Sequence, residues 1–395
     1  MKKIVAAIVT VYHKWSHADV IVGKILEGYH HDGQKYPELE LAAMYVDQFP
    51  PNDLSRDLAK KFGFKIYPTI ADAVCRGTDR LAVDGVLCIG EHGDYPKNER
   101  GQILYPRRRM FAEVCDVFEK SKRSVPVFND KHLSAKWEDA EWMYRRARDL
   151  FVPLIAGSSL VVTWRRPDLT LPKDSELLDA VQVGYGPFEG YGFHALEALQ
   201  CMVERRRGGE SGVRAVTCLT GEAMWQALDR GEWSKELLEA ALAKVPAHAD
   251  GDYRRLTAQA EDAGVIQIEY TDGFKAAVAM MNGWAYEGDG GAFTFACRRK
   301  NQPIESTHFY LQQPDPFAHF AEQLRAIEHT IRTNHPAYPV ERTLLTTGIL
   351  EAAMISRAEK NRRIETPHLA TIRYAPRDWP HATGDPPRPM PRAMP

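Results

Sequence analysis

The stretch Ile4-Val5-Ala6-Ala7-Ile8-Val9-Thr10-Val11-Tyr12-His13-Lys14-Trp15-Ser16-His17-Ala18 decides the fold. Ile4–Thr10 is a short, unbroken apolar run, the signature of a parallel strand buried on both faces. A dinucleotide-binding fold follows such a strand with G-x-G-x-x-G, because a Cβ there keeps the pyrophosphate from the backbone amides. Here the turn carries Val11, Tyr12, His13, Lys14, Trp15 and Ser16, and the next glycine is Gly23. The strand predicts a nucleotide-type fold, and the turn lacks its phosphate cradle.

Strand and helix signals alternate onward from that turn. Apolar positions at helical spacing fill 17–28, and Leu39–Val46 is a second strand. Helices are expected at Leu54–Phe62 and Ile70–Val74, with Gly63 as a stop and Thr69 as a cap. Val83–Ile89, Val125–Phe128 and Pro153–Ala156 read as further strands, with helices at Arg107–Lys120 and Trp137–Leu150. This β-α repetition predicts a doubly wound parallel sheet over residues 1–156. Beyond Gly157 the pattern becomes a strand meander: Val161–Trp164, Ala180–Val183, Val213–Leu219, Val265–Tyr270, Phe274–Met281, Ala292–Cys297 and Ser306–Leu311. Thr271-Asp272-Gly273 is a hairpin turn between two of these. One helix, Tyr191–Arg206, interrupts the meander, and helices at Pro316–Thr333 and Val340–Lys360 close it. The expected architecture is a Rossmann-like domain, then an α+β domain over 157–375 with an open, mainly antiparallel sheet. The helix near 340–360 is expected to pack back on the first domain. The Pro- and Arg-rich tail, 376–395, is expected to be poorly ordered in its last ten residues.

The chain has 395 residues, 44% hydrophobic and 26% charged, with a formal net charge of -2. That balance excludes the electrostatic footprint of a nucleic-acid or anionic-membrane binder. Arg107-Arg108-Arg109 and Arg205-Arg206-Arg207 are therefore expected to be solvated helix faces. Six cysteines without a C-x-x-C pair read as reduced thiols, with Cys88 and Cys218 in apolar strands, and point to the cytoplasm. No apolar run approaches the roughly eighteen residues of a membrane helix, and the N-terminal run is too short for a secretion signal.

Several segments, in order, resemble the Gfo/Idh/MocA family of glucose–fructose oxidoreductases, inositol dehydrogenases and their relatives. They are Ala59–Gly63 with Tyr67-Pro68-Thr69-Ile70, Val83-Asp84-Gly85-Val86, Val125–His132, Gly192-Phe193-His194-Ala195-Leu196-Glu197, and Pro339-Val340-Glu341 with Ala352–Ser356. The resemblance covers nearly the whole chain. It implies an NAD- or NADP-dependent oxidoreductase acting on a sugar, polyol or related hydroxy compound, with hydride transfer at the domain cleft. It departs from the family at the glycine loop and at Asp130-Lys131-His132, where the family has Glu-Lys-Pro. Gly190 stands where members have an aspartate four residues before the motif histidine, with Glu189 one position further away.

The resemblance implies catalytic roles for Lys131, His194 and Glu189. A lysine at a strand end can relay a hydroxyl proton, and a histidine can accept one. Cofactor contacts are expected from Tyr12, His13, Ser16, His17, Asp47, Glu91, His92 and Asp130. Asp47, ending the second strand, is the residue type that accepts from an adenosine ribose. Arg165, Trp164, Tyr191 and Glu197 are expected to contact substrate: Arg165 as an anion clamp, the aromatics by stacking on a sugar ring, and Glu197 by orienting His194. The imidazoles and carboxylates that follow the strands allow an alternative, a lyase, epimerase or hydrolase of the same fold using a metal. A non-catalytic sugar- or partner-binding member is a further alternative. No dedicated metal site is expected. Self-association into a dimer or tetramer is expected through the second domain.

Overall fold

The computed structural model describes residues 1–286, 288–313 and 315–390. In chain order the first elements are β1 (Lys3–Val9), α1 (His17–Glu27), β2 (Leu39–Val46), α2 (Ser55–Phe62), β3 (Lys65–Ile66), α3 (Ile70–Cys75) and β4 (Gly85–Ile89). Next come α4 (Arg107–Ser121), β5 (Val127–Asp130), α5 (Trp137–Asp149) and β6 (Leu154–Gly157). The second half holds β7 (Trp164–Arg166), β8 (Leu177–Gly184), α6 (Phe188–Val203), β9 (Val213–Leu219), α7 (Glu222–Asp229), α8 (Lys235–Leu242) and α9 (Tyr253–Ala258). It ends with β10 (Gly264–Tyr270), β11 (Lys275–Met280), β12 (Thr294–Arg299), β13 (Glu305–Tyr310), α10 (Ala318–Thr333), α11 (Val340–Ala358) and β14 (Ile364–Glu365).

The chain divides into two units. Residues 1–159 and 315–340, with the stretch from Pro387, form one; 160–313 and 341–386 form the other. In the first unit six strands make a parallel sheet in the order β3-β2-β1-β4-β5-β6. Val5, Ala6, Ala7, Ile8 and Val9 of β1 have no exposed surface, as an unbroken apolar run in a doubly covered sheet requires. Helix α10 belongs to this layer. A Cβ at Gly85 of β4 would meet the Ile331 side chain at 2.8 Å, so the absence of a side chain there admits the helix. Thr69 and Gly63 act at the helix ends as their residue types foretell: the Thr69 hydroxyl accepts from the Asp72 amide, and Gly63 closes α2 at φ 79°.

The second unit is built on an eight-stranded sheet, β14-β9-β10-β11-β8-β12-β13-β7. It is antiparallel except for the β11–β8 pair. The turn at Thr271–Gly273 joins β10 to β11, with Gly273 at φ 88°. All six cysteines are unpaired and buried. Among the described residues, no helix is long and apolar enough to cross a membrane.

Three expectations differ from the structure. Val161–Trp164 is not a strand: Ser159–Val162 forms a 3-10 turn and only Trp164–Arg166 pairs, with β13. Helix α6 begins at Phe188, so His194 lies in its second turn. Helix α11 belongs to the second unit. There Arg342 makes a two-pronged ion pair with Glu204 (2.8 and 2.6 Å), and the Cys218 amide donates to the Ser356 hydroxyl. The arginine triplets are solvated only in part: Arg108, Arg109 and Arg207 are exposed. Arg107 is buried, and buried Arg206 donates to Glu210 and Asp272. Of the tail, 391–395 lie outside the described residues, while the Ala382 and Met390 amides donate to the carbonyls of Val162 and Asp315.

The Arg342–Glu204 pair is buried on both sides and also receives the Tyr374 hydroxyl at 2.9 Å. Glu204→Ala strands the guanidinium without a counter-charge, and the expected loss is about 3–5 kcal/mol, measured by urea unfolding. A midpoint equal to wild type would refute it.

Candidate active site

Four neighbouring strand ends of the parallel sheet, those of β2, β1, β4 and β5, deliver the site. Val9 of β1 pairs with Val46 on one side and Ile89 on the other, so Thr10, Asp47 and Gly90 leave the sheet along one edge. Beside β4, strand β5 brings Asp130 and then Lys131 to the same edge. This carboxyl edge is where open α/β sheets bind ligands. Lys131 adopts a left-handed backbone, φ 65°, and its amide donates to the Gly157 carbonyl. His92 is likewise left-handed, φ 66°. A side chain held at such φ carries a local conformational cost that the surrounding contacts must offset.

Glu91 is the electrostatic centre. Its carboxylate accepts from the buried Arg107 guanidinium at 2.7 Å and stands 3.5 Å from the Lys131 ammonium. Burial alone would raise the Glu91 pKa; Lys131 and Arg107 outweigh it and hold the carboxyl well below its ordinary range. Arg107 also donates to His132 Nε2 at 2.9 Å. A guanidinium only donates, so that nitrogen carries its lone pair. His17 Nδ1 lies 2.6 Å from the Asp130 carboxylate. Its ring centroid is 5.5 Å from that of His92, which is equally 5.5 Å from His13. Burial, then the neighbouring positive charges of His17 and Lys131, push His92 down to about 4, so its imidazole is neutral at neutral pH. His319, buried on α10, is lowered to about 3, first by burial. The arrangement offers an ammonium, an oriented imidazole–carboxylate pair and a neutral imidazole around one fixed carboxylate. Such a set can hold a polyhydroxy ligand and move a proton. Among the described residues, no group of three His, Cys, Asp or Glu side chains is arranged to hold a metal ion.

A dinucleotide asks this edge for an anion seat at the start of α1 and a free carboxylate at the end of β2. Both features are present, and both are engaged by the chain itself. Ser16 caps α1, its hydroxyl accepting from the Asp19 and His13 amides, and the buried Asp19 carboxylate accepts from the Trp15 amide at 3.0 Å. Tyr12 is fully buried, its hydroxyl 3.2 Å from where a Cβ on Gly23 would stand. Asp47 accepts from Tyr45 (2.6 Å), Tyr95 (2.7 Å) and Arg109 (2.5 Å). Burial would raise its pKa, and these three donors together lower it instead. The fit to a dinucleotide is conditional: Asp47 already accepts two donors on Oδ1 and one on Oδ2, so a ribose hydroxyl competes there with Tyr95 and Arg109.

The second unit places the remaining sequence candidates. His194 and Tyr191 of α6 share an aromatic cluster with Phe293, at centroid distances of 5.9 Å to each other and 6.2 and 6.0 Å to Phe293. Glu189 lies five residues before His194, roughly 140° around the helix axis at 100° per residue. Gly190, one turn before His194, has open space where a Cβ would go. Glu197 is fully buried and accepts from the Thr346 hydroxyl at 2.8 Å. The Arg165 guanidinium is turned inward to the Leu169 carbonyl and the Cys201 sulfur, and burial lowers its pKa. Trp164 is buried edge-on to Tyr310, with centroids 6.5 Å apart.

Sequence reasoning missed Arg107, Asp19, Tyr95 and Arg109. Tyr95 carried a signal, as part of the glycine-bearing loop Gly90–Pro96 behind a buried strand, and so did the arginines, as the first and third residues of a basic triplet opening a helix behind that loop.

Similarity to solved structures can be set beside this geometry. GenD2 from gentamicin A biosynthesis, solved in complex with NAD, superposes with TM-score 0.57 at 16% identity, covering 93% of this chain and 97% of its own. A myo-inositol dehydrogenase from Corynebacterium glutamicum gives 0.55 at 13% identity, with 92% and 99% coverage. The apo scyllo-inositol dehydrogenase of Lactobacillus casei gives 0.56 at 13%, with 92% and 98%. The chain has their fold. No family model and no curated protein matches it by sequence.

The charges of the site set a pH dependence. The stability Glu91 contributes is complete above its unfolded value near 4.5 and is lost as pH falls below it. His92 stays neutral in the folded chain down to about 4 while the unfolded chain takes up a proton from about 6.5, so its contribution also falls with acidification. Unfolding free energy is expected to decline from about pH 7 to about pH 5, and His92→Asn to flatten that decline. Chemical denaturation at the two pH values measures both; an unaltered slope in the variant would refute the assignment.

Proposed function

We propose that this protein is an NAD(P)-dependent oxidoreductase acting on a sugar, polyol or related hydroxy compound. The observation that carries the reading is the fold, which matches dehydrogenases over about 92% of the chain, together with Lys131 at the carboxyl end of β5 beside the fixed Glu91 carboxylate. Bound nicotinamide would supply the hydride acceptor. On the chain's side, Lys131 binds the reacting hydroxyl and relays its proton, with Glu91 holding the ammonium in place. In the second unit His194 is a further candidate for proton transfer, and its aromatic surround suits the apolar face of a sugar ring. A cytoplasmic site of action and self-association belong to the same reading.

A second reading is favoured by one observation, the three donors already on Asp47. It is an enzyme of the same fold, a lyase or epimerase, whose ligand is smaller than a dinucleotide and whose chemistry is proton transfer at the Lys131–Glu91–His17 group.

Titration with NADH and NADPH, followed by nicotinamide fluorescence, separates the two. Binding in the micromolar range supports the oxidoreductase, and no binding at millimolar cofactor removes it. With a polyol substrate in hand, Lys131→Met is expected to lower kcat by about 10²–10⁴ while cofactor affinity stays within about twofold. Full turnover in that variant would refute the proton-relay role. Gly190→Asp sets a carboxylate one turn before His194 in open space and is expected to raise the His194 pKa, read by NMR titration; an unmoved imidazole signal would show that the two side chains do not meet.

A further inference from the structure

The segment after β4 does not stay over β4. The Thr10 hydroxyl, beyond the end of β1, donates to the Glu91 carbonyl at 2.6 Å. Three residues on, the Asp94 amide donates to Gln48 Oε1 at 2.9 Å, and Gln48 Nε2 donates to the Asp94 carbonyl at 2.8 Å. Tyr95 then reaches Asp47. Gln48 and Asp47 follow β2, and β1 lies between β2 and β4, so residues 91–95 cross above the end of β1. Gly93, at φ 103°, lies at the crossing. A Cβ there would meet Val11 at 3.3 Å, Gln48 Oε1 at 3.1 Å and the Tyr95 ring at 2.8 Å. The strap therefore rests on the turn that lacks glycines, over the ground where the adenosine half of a dinucleotide lies in a doubly wound fold.

We propose that residues 93–95 of the strap are a self-ligand: Tyr95 and Arg109 occupy the Asp47 carboxylate in place of ribose hydroxyls, and cofactor binding at this edge requires this part of the strap to open while Glu91 stays in place. This inference rests on the oxidoreductase reading above and names what regulates that site. Three features point the same way. Asp47 is doubly occupied by phenols, Tyr45 from its own strand and Tyr95 from the strap, so the strap supplies a hydroxyl where a ribose supplies hydroxyls. Arg109 neutralises the carboxylate while it waits. Glu91 stays held by Thr10, Arg107 and Lys131, whereas Asp94 and Tyr95 are tied by side chains of β2 and its following loop rather than by sheet pairing, so residues 93–95 can release without breaking the sheet. Apparent affinity is the intrinsic affinity reduced by the fraction of open strap, and shifting the closed state by one hydrogen bond to a charged acceptor moves that fraction by about tenfold or more.

The test compares wild type, Tyr95→Phe and Gln48→Ala, titrated with NADH and with ADP-ribose, which carries the adenosine and pyrophosphate without the nicotinamide. The proposal expects both variants to bind both probes about tenfold more tightly than wild type, with thermal midpoints checked to show intact folding. It also expects the Asp94 amide of the wild type to exchange faster with solvent deuterium when NADH saturates the protein. Micromolar binding with equal affinity in all three proteins, or weaker binding in the variants, overturns the strap as a gate and leaves the oxidoreductase reading standing. No binding of either probe by any of the three removes that reading and the gate with it.

Discussion

The Glu91 carboxylate, fixed between Arg107 and Lys131, is the constraint on which the rest of the site depends. Three charges taken largely out of water are tolerable only together, because each one alone carries a desolvation cost that its partners offset. The trio has geometric consequences. Arg107 opens α4, so its grip on Glu91 anchors that helix to the end of β4, and its second nitrogen fixes the His132 tautomer. Lys131, turned back by a left-handed backbone, points its ammonium at the same carboxylate. Asp130 is left to hold His17 at the start of α1. The ends of β4 and β5 and the start of α4 are thus joined through one acid, and Asp130 adds the start of α1.

The missing glycines make sense against that arrangement. A glycine turn exists so that phosphate oxygens can reach backbone amides. Here the amides of Trp15 and Asp19 are spoken for by Asp19 and Ser16, and side chains at Val11 and Tyr12 fill the space that a bare backbone would leave. The carboxylate at the end of β2 is covered in the same manner by two phenols and a guanidinium. The polar groups at this edge, Asp47 and Lys131 among them, are satisfied internally.

Much of this was open to inspection in the chain. Ile4–Thr10 announced a buried parallel strand, Thr69 and Gly63 announced helix ends, and Thr271–Gly273 announced a hairpin, because each is set by local chemistry of a few residues. Between Gly221 and Asp262 the reading gave nothing, although Ser234 and Asp252 cap helices there by accepting from the Leu237 and Arg255 amides. Such caps are local signals of a helix start. Val161–Trp164 misled, since β-branched residues suit a strand while the chain turns at Ser159–Val162.

The sequence by itself determined the two kinds of sheet, the order of their elements and the set of polar residues at the strand ends, because periodicity and turn chemistry are written within short windows. Only the tertiary structure decided what those polar residues do. That Arg107 faces Glu91 rather than solvent, that Tyr95 crosses to Asp47, and that Glu197 turns to Thr346 depend on strands from distant parts of the chain lying side by side. The physical reason is that a buried charge takes its role from its partners, and no local window contains them.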